Sequence, residues 1–184
     1  GNQIENFRSI YETALSYKNI TIGNHSYCHA NGKYKQFYVD SDEVVNDIKK
    51  ANEIISKDRS STTQSHFLPT RLAGRNVFRL PFISRDDFGL DKEQTAKEWL
   101  GYEKVFKEGF YIYGWDVEWS NNAIGKPVES PMDIVNTMEN VCAKNRSRLP
   151  NKVVVLMHDR MFYNRFNGKE NLQTFIRLLK DNGW

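Results

Sequence analysis

Apolar residues recur at spacings of three and four in five segments of the chain. This spacing is typical of helices that bury one face. The second segment follows Ser41 or Asp42, either of which can cap a first turn, and its apolar stripe continues to about Lys57. The pattern therefore predicts helices at about residues 2–17, 41–57, 95–107, 132–144 and 169–182.

Short β-branched and aromatic runs lie between the helical segments and predict strands. The clearest is Lys152–His158, a near-continuous apolar run of the kind found in buried parallel strands. The other predicted strands are Ile20–Ile22, Asn76–Leu80 and Phe110–Val117, and residues 58–75 are expected to form a loop or a weak helix. Because strands alternate with helices, we expect one α/β domain over residues 1–184, with a parallel sheet or barrel.

Composition and charge exclude several classes of protein. The net charge is only +3, and the basic residues are interleaved with acidic ones, which argues against a nucleic-acid partner. No apolar run approaches the roughly 18 residues that a membrane span requires. Aromatic residues make up 13% of the chain, which suits a sugar-stacking surface and a large core equally well. Cys28 and Cys142 are compatible with a disulfide or with two free thiols.

Polar and aromatic side chains collect after the predicted strands. In parallel α/β folds, ligands bind at the carboxyl ends of the strands, so these residues are expected to line one rim. His66 is the one histidine outside the group, and its Ser/Thr-rich setting indicates a plain loop residue. Each member taken alone has an ordinary structural explanation, but the group together predicts a functional site. Its members are His25, His29, Arg79, Pro81, Trp115, Asp116, Glu118, Trp119, His158 and Asp159.

The two histidines His25 and His29 stand four residues apart, just after Gly23. Imidazoles at positions i and i+4 point the same way on a helical turn, so one cation can reach both. The alternative is a strand-end loop in which the histidines only form hydrogen bonds.

Four short motifs carry a resemblance to a known family. The segment HSYCH at 25–29 matches the pattern H-[S/T]-x-x-H, and FRLPF at 78–82 resembles R-x-P. The segment GWDVEW at 114–119 resembles W-x-V-D, and VLMHD at 155–159 resembles a closing L-x-H. With these motifs in this order, the chain resembles the polysaccharide deacetylases, which are the carbohydrate esterase family 4 or NodB-like domains.

This resemblance implies a fold, a substrate and a cofactor. The fold would be a distorted (β/α) barrel, and the substrates would be N- or O-acetylated sugars of chitin-like polymers, peptidoglycan or exopolysaccharide. The divalent metal of the family is usually zinc, held here by His25 and His29, where it would polarise the acetyl carbonyl and activate a water. Such enzymes act outside the cytoplasm, so a periplasmic or secreted location is implied.

The resemblance also assigns roles to the remaining strand-end residues. His158 would be the general acid that protonates the leaving amine, a task suited to a pKa near neutrality. Arg79 would orient the catalytic base. An acid at Asp116 or Glu118 would tune His158. The acetyl pocket would be lined by Trp115 or Trp119, together with Pro81.

The first motif of the family, T-F-D-D, does not occur in this sequence. Its two aspartates are the catalytic base and the third metal ligand, and chain order argues against Asp86 and Asp87 as substitutes. Asn121 stands where the family often has a further acid, and Cys28 is expected to serve packing. We therefore expect the chain to begin after the first two strands of an incomplete barrel. An exposed strand edge would then self-associate or be covered by the N-terminal helix.

Three functional hypotheses follow from this pattern. The first is an active deacetylase. The second is a catalytically impaired deacetylase-like domain that binds glycan through its aromatic residues. The third is a metal-dependent hydrolase on another α/β scaffold. Two histidines alone make an open zinc site, because catalytic zinc normally has three protein ligands.

Overall fold

The chain packs around two separate cores. The computed structural model describes residues 3–57, 68–88 and 92–184. Contacts divide the chain into a first unit, Gly1–Gly114, and a second unit, Trp115–Trp184. Both contain helices and short strands, so the expected mixed α/β class is confirmed for the described residues.

In its described residues, the first unit combines four α-helices with a four-stranded sheet. The sheet order is β1-β4-β2-β3, in which β1 is parallel to β4 while β2 is antiparallel to both of its neighbours. The helices are α1 (Arg8–Ser16), α2 (Tyr34–Val39), α3 (Ser41–Lys57) and α4 (Lys92–Lys107). The strands are β1 (Leu68–Thr70), β2 (Asn76–Leu80), β3 (Ile83–Phe88) and β4 (Phe110–Ile112).

The core of the first unit forms around the apolar stripe of α3. Val44, Ile48 and Ala51 are buried there, as the helical periodicity predicts. Helix α4 adds Tyr102 and Val105 to the same core. Helix α1 differs from the prediction, because Tyr11 is the one buried residue of its apolar face and Phe7 and Ile10 are exposed. The Tyr11 hydroxyl donates a hydrogen bond to the Ile55 carbonyl at 3.1 Å.

The predicted strand Ile20–Ile22 is wrong, since these residues are not in a strand. Strand pairing at this point is reduced to one parallel bridge between Asn24 and Thr70. Strand β1 falls within the segment expected to be a loop or weak helix, of which residues 58–67, including His66, lie outside the described residues. Three residues are too few to show a strand periodicity.

Strand β3 makes part of the sheet antiparallel, which corrects the expectation of purely parallel strands. Leu80 pairs with Ile83, so Pro81 and Phe82 form the turn of a hairpin. Proline fixes φ near the value that the first central position of common turns requires, so Pro81 favours this reversal. Asp86 and Asp87 pair through their backbone with Phe78 and Val77.

The predicted strand Phe110–Val117 is divided between the two units. Strand β4 ends at Ile112, and β5 (Val117–Glu118) belongs to the second unit. Gly114, just after β4, is closely packed against β2, because a Cβ at this position would collide with the Asn76 amide and with the ring of Phe78 at 2.8 Å. A residue with a side chain could not occupy this position without displacing those neighbours.

The second unit joins two helices to a pair of short strands. Its elements are β5, α5 (Pro131–Ala143), β6 (Val155–Leu156) and α6 (Gly168–Asp181), with 3₁₀ turns at Asp159–Phe162 and Asn164–Phe166. Strands β5 and β6 are parallel, with Val117 opposite Val155, so a parallel pair is confirmed although the strand predicted over Lys152–His158 is reduced to two residues. Ser130 caps α5 in a reciprocal capping box with Asp133.

The described strands do not form a closed barrel. Among the helices of the described residues, none is long and apolar enough to cross a membrane.

Candidate functional site

The segment 23–33, which we call the histidine loop, is fixed to the sheet and to α3 by Asn24. The Asn24 amide nitrogen donates to the Ile48 carbonyl at 2.8 Å, and its amide oxygen accepts the backbone N–H of Ser26 at 2.9 Å. Its backbone N–H donates to the Pro69 carbonyl at 2.8 Å. Gly23 is required beside it, because a Cβ there would lie 2.9 Å from the same carbonyl oxygen.

Two side chains hold the middle of the histidine loop. The Asp47 carboxylate on α3 accepts the backbone N–H groups of Tyr27 at 2.8 Å and of Cys28 at 3.1 Å. The Ser26 hydroxyl accepts the backbone N–H of His29 at 3.0 Å. Buried backbone groups of an irregular loop need such partners, so the loop is preorganised before any ligand binds.

A left-handed turn carries the second histidine. His29, Ala30, Asn31 and Gly32 have φ values of 53°, 54°, 47° and 73°. The pair was expected on an ordinary helical turn, and this detail of the prediction is wrong. Left-handed backbone costs roughly 1–2 kcal/mol per non-glycine residue, so the surrounding contacts must offset that cost.

The two imidazoles nevertheless lie together, as the spacing predicts. Their ring centroids are 5.0 Å apart with an interplanar angle of 74°. The Nδ1 atom of His25 lies 2.8 Å from the Arg71 carbonyl oxygen, which can only accept, so Nδ1 carries the ring proton. The Nδ1 atom of His29 lies 3.3 Å from the Tyr34 hydroxyl oxygen.

This arrangement fits two ligands of a metal ion. Zinc binds imidazole nitrogen at about 2.0–2.1 Å, so two rings on one tetrahedral zinc have centroids about 5 Å apart. The hydrogen bond at Nδ1 leaves the Nε2 lone pair of His25 free to coordinate, a pattern common among metal-bound histidines. Among the described residues, no group of three His, Cys, Asp or Glu side chains can hold a metal.

The surroundings of the loop shift the pKa values of His25 and Cys28 in opposite directions. Desolvation by neighbouring atoms lowers the pKa of His25 although the residue retains solvent exposure, and the charges of His29 and Arg71 act in the same direction. The neutral imidazole, which is the form that binds metal, is thereby favoured. Burial and the neighbouring Asp47 raise the pKa of the Cys28 thiol. Cys28 is thus a poor source of a thiolate ligand.

Arg79 is engaged by α4. Its guanidinium pairs with Glu103, with Nε–Oε1 at 2.5 Å, and lies 3.6 Å from the centroid of the Phe106 ring. It also donates to the Leu80 carbonyl at 2.9 Å. These contacts join β2 to α4, and the role of Arg79 in orienting a base stays a prediction. Pro81 is exposed at the β2–β3 turn.

Arg71 is the arginine that the structure places beside the histidine pair, and no motif of the sequence identifies it. Its carbonyl holds His25, and its Nη2 donates to the Gly114 carbonyl at 3.0 Å. It directly follows β1, so the rule that sites form at strand ends would have selected it if that three-residue strand had been recognised.

In the second unit, Asp116 is a fully buried carboxylate with structural partners. It accepts the backbone N–H groups of Arg148 at 3.0 Å and of Val154 at 2.8 Å. Trp119 is also fully buried, with its indole N–H donating to the Glu129 carbonyl at 2.9 Å. Its ring packs on Phe162 and Phe175, with centroids 5.7 and 5.2 Å away. Both side chains are therefore held in place by contacts within the second unit.

His158 lies just after β6, as expected from its motif, and its side chain is exposed. The amide nitrogen of Asn121 lies 3.4 Å from its Nδ1 atom. With the amide as donor, Nδ1 accepts and Nε2 carries the ring proton of the neutral imidazole. Asn121 stands at the position where polysaccharide deacetylases often have a further acid. Glu118 is exposed and Trp115 is half-buried.

No family model matches this chain, and no curated protein is similar to it at a significant level.

Proposed function

We propose that this chain is a metal-dependent, polysaccharide deacetylase-like hydrolase. It would remove acetyl groups from amino-sugar polymers such as chitin-like chains, peptidoglycan or exopolysaccharide. The observation that carries this proposal is the His25–His29 pair, whose ring separation suits one cation and whose first imidazole is held with Nε2 available. The distorted barrel and an extracytoplasmic location belong to the same proposal.

The proposed chemistry is hydrolysis of an acetamide. Water adds to the acetyl carbonyl, the C–N bond breaks, and acetate and a free amine leave. A zinc ion bound by His25 and His29 would polarise the carbonyl and lower the pKa of the attacking water. His158 would deliver the proton that the leaving amine requires.

A second candidate function is glycan binding without turnover. It is favoured because no third metal ligand accompanies the two histidines among the residues that the structure describes. Asp116 and Trp119, both assigned to the site from the sequence, also have structural partners. An impaired domain of this kind would keep its affinity for acetylated sugar but release no acetate.

Acetate release from an acetylated chito-oligosaccharide, measured with the full chain and added zinc, separates these candidates. The deacetylase proposal predicts release in wild type that is abolished in His25→Ala and in His158→Ala. Binding of the oligosaccharide without release would support the impaired domain. Release that survives both substitutions would exclude the mechanism given above.

A further inference from the structure

Arg71 is the junction of three segments of the first unit. Its backbone N–H donates to the Asn24 carbonyl at 2.8 Å, and its carbonyl accepts Nδ1–H of His25 at 2.8 Å. Its guanidinium donates through Nη2 to the Gly114 carbonyl at 3.0 Å and through Nε to the Tyr113 carbonyl at 3.4 Å. One residue therefore joins the histidine loop, the end of β1 and the end of β4.

The carbonyl of Arg71 determines which nitrogen of His25 can bind a ligand. A carbonyl oxygen accepts but cannot donate, so the hydrogen bond keeps the proton on Nδ1 and the lone pair on Nε2. The position of that carbonyl depends on the conformation of residue 71. Because the Arg71 guanidinium is anchored on two carbonyls beyond β4, the side chain restrains the same residue whose backbone orients His25.

We propose that Arg71 is the positioning residue of the metal site proposed above, through His25, and that its anchored side chain keeps the imidazole in the Nδ1–H form. This role is distinct from that of Arg79, whose guanidinium is held by Glu103 and Phe106 on α4. Partners that orient metal ligands matter energetically, since their loss typically lowers metal affinity by about 10–100-fold.

A purely electrostatic role for Arg71 predicts the opposite result. A cation beside a metal site repels the metal, so its removal would strengthen metal binding. Positioning predicts that the same removal weakens binding. The sign of the change in zinc affinity therefore distinguishes the two roles.

The test compares zinc affinity, measured by calorimetry on the full chain, for wild type, Arg71→Met and Lys50→Met. Lys50 is the matched control because its ammonium lies 3.9 Å from the centroid of the Tyr27 ring in the same loop. We expect about tenfold weaker zinc binding in Arg71→Met and little change in Lys50→Met. Unchanged or tighter binding by a folded Arg71→Met would overturn the proposal.

A second readout tests Arg71 without any metal. Nitrogen NMR of the metal-free protein distinguishes protonated from unprotonated ring nitrogens, and it should show one tautomer of His25 in wild type and a mixture in Arg71→Met. A wild type that binds no zinc would contradict the proposed function, while the tautomer comparison would still decide the role of Arg71. If Arg71→Met does not fold, Arg71→Lys takes its place, with the same two directions expected because lysine cannot reproduce the forked contact.

Discussion

Asp116 and Trp119 have structural contacts that residue type alone does not predict, and their roles at the proposed site stay predictions. Asp116 lies between β4 and β5 and Trp119 follows β5, and both side chains are fully buried with structural partners. The sequence could not show that backbone N–H groups of residues 148 and 154 would need an acceptor here. The proximity of His25 and His29 was expected from helical spacing, whereas the segment that carries His29 is a left-handed turn, which the spacing does not predict.

The structural role of Asp116 predicts a loss of stability on substitution. Asp116→Asn should lower the free energy of unfolding by about 1–3 kcal/mol, because one carboxylate oxygen becomes an amide that faces a backbone donor. Glu118→Gln changes an exposed acid two residues along the chain and should stay within about 0.5 kcal/mol of wild type. Urea unfolding measures both values, and equal effects of the two substitutions would contradict this account of Asp116.

His25 predicts a pH dependence of stability in the metal-free protein. Its folded pKa lies below the ordinary value of 6.5, so the unfolded chain binds more protons between the two values and stability rises with pH in that window. Protonating His25 in the folded protein costs free energy. This cost lowers the stability in full below the folded pKa and does not lower it above about pH 6.5.

His25→Gln removes this titration and should therefore destabilise the protein less at about pH 5 than at about pH 8. Urea unfolding in the presence of a chelator measures the difference at each pH. A destabilisation that is the same at both values would show that His25 does not contribute in this way.

At the scale of elements, the long periodic helices and strand β2, Asn76–Leu80, were predictable, whereas β1 and β3 were not. The stripe of α3 is buried as expected, and α5 and α6 begin within one residue of their predicted starts. Strand β1 has three residues, and β3 reads ISRDDF, so neither shows the alternation that identifies a strand. The need for glycine at position 114 comes from the approach of Asn76 and Phe78, a tertiary contact that no local pattern contains.

A buried ion pair joins the segment before β2 to α4. Arg75 contacts Glu98 through Nε–Oε2 at 2.6 Å and Nη2–Oε1 at 2.7 Å, and the two side chains are 7% and 0% exposed. The Tyr102 hydroxyl also donates to Glu98, and burial raises the pKa of that hydroxyl, which keeps it a donor. Removing the cation leaves the buried carboxylate unpaired, which strongly destabilises the folded protein.

Arg75→Met should therefore lower the free energy of unfolding by about 3–5 kcal/mol. Lys97→Met removes the cation of an exposed ion pair with Glu93 on the same helix and should cost less than about 1 kcal/mol. Chemical denaturation of both variants provides the comparison. An Arg75→Met variant as stable as Lys97→Met would contradict a structural role for the buried pair.

At the scale of the molecule, the fold class was predictable from alternating helices and strands, whereas the division into two units was not. Each unit has its own core, and the boundary falls inside a run that reads as a single strand, FYIYGWDV. Gly114 and Asp116 interrupt the apolar run there, but neither distinguishes a boundary between two units from an irregularity within one strand.

Self-association through a strand edge stays a prediction at this scale. Among the described strands, β3 pairs only with β2 and leaves one edge of the four-stranded sheet open. Helix α1 is tied to α3 through Tyr11, which favours association over coverage of that edge by α1. Sedimentation velocity over a range of concentrations should show a reversible dimer. A monomer at every concentration would contradict the expectation.

Zinc affinity of the full chain tests the central claim, that His25 and His29 form the metal-binding arm of a hydrolase. We expect wild type to bind zinc, and His25→Ala and His29→Ala each to weaken binding by more than about tenfold, because each removes one of two imidazole ligands. His158→Ala removes an imidazole that the proposal does not assign to the metal and should bind as wild type does. No zinc binding in wild type, or equal affinity in all four proteins, would contradict the claim.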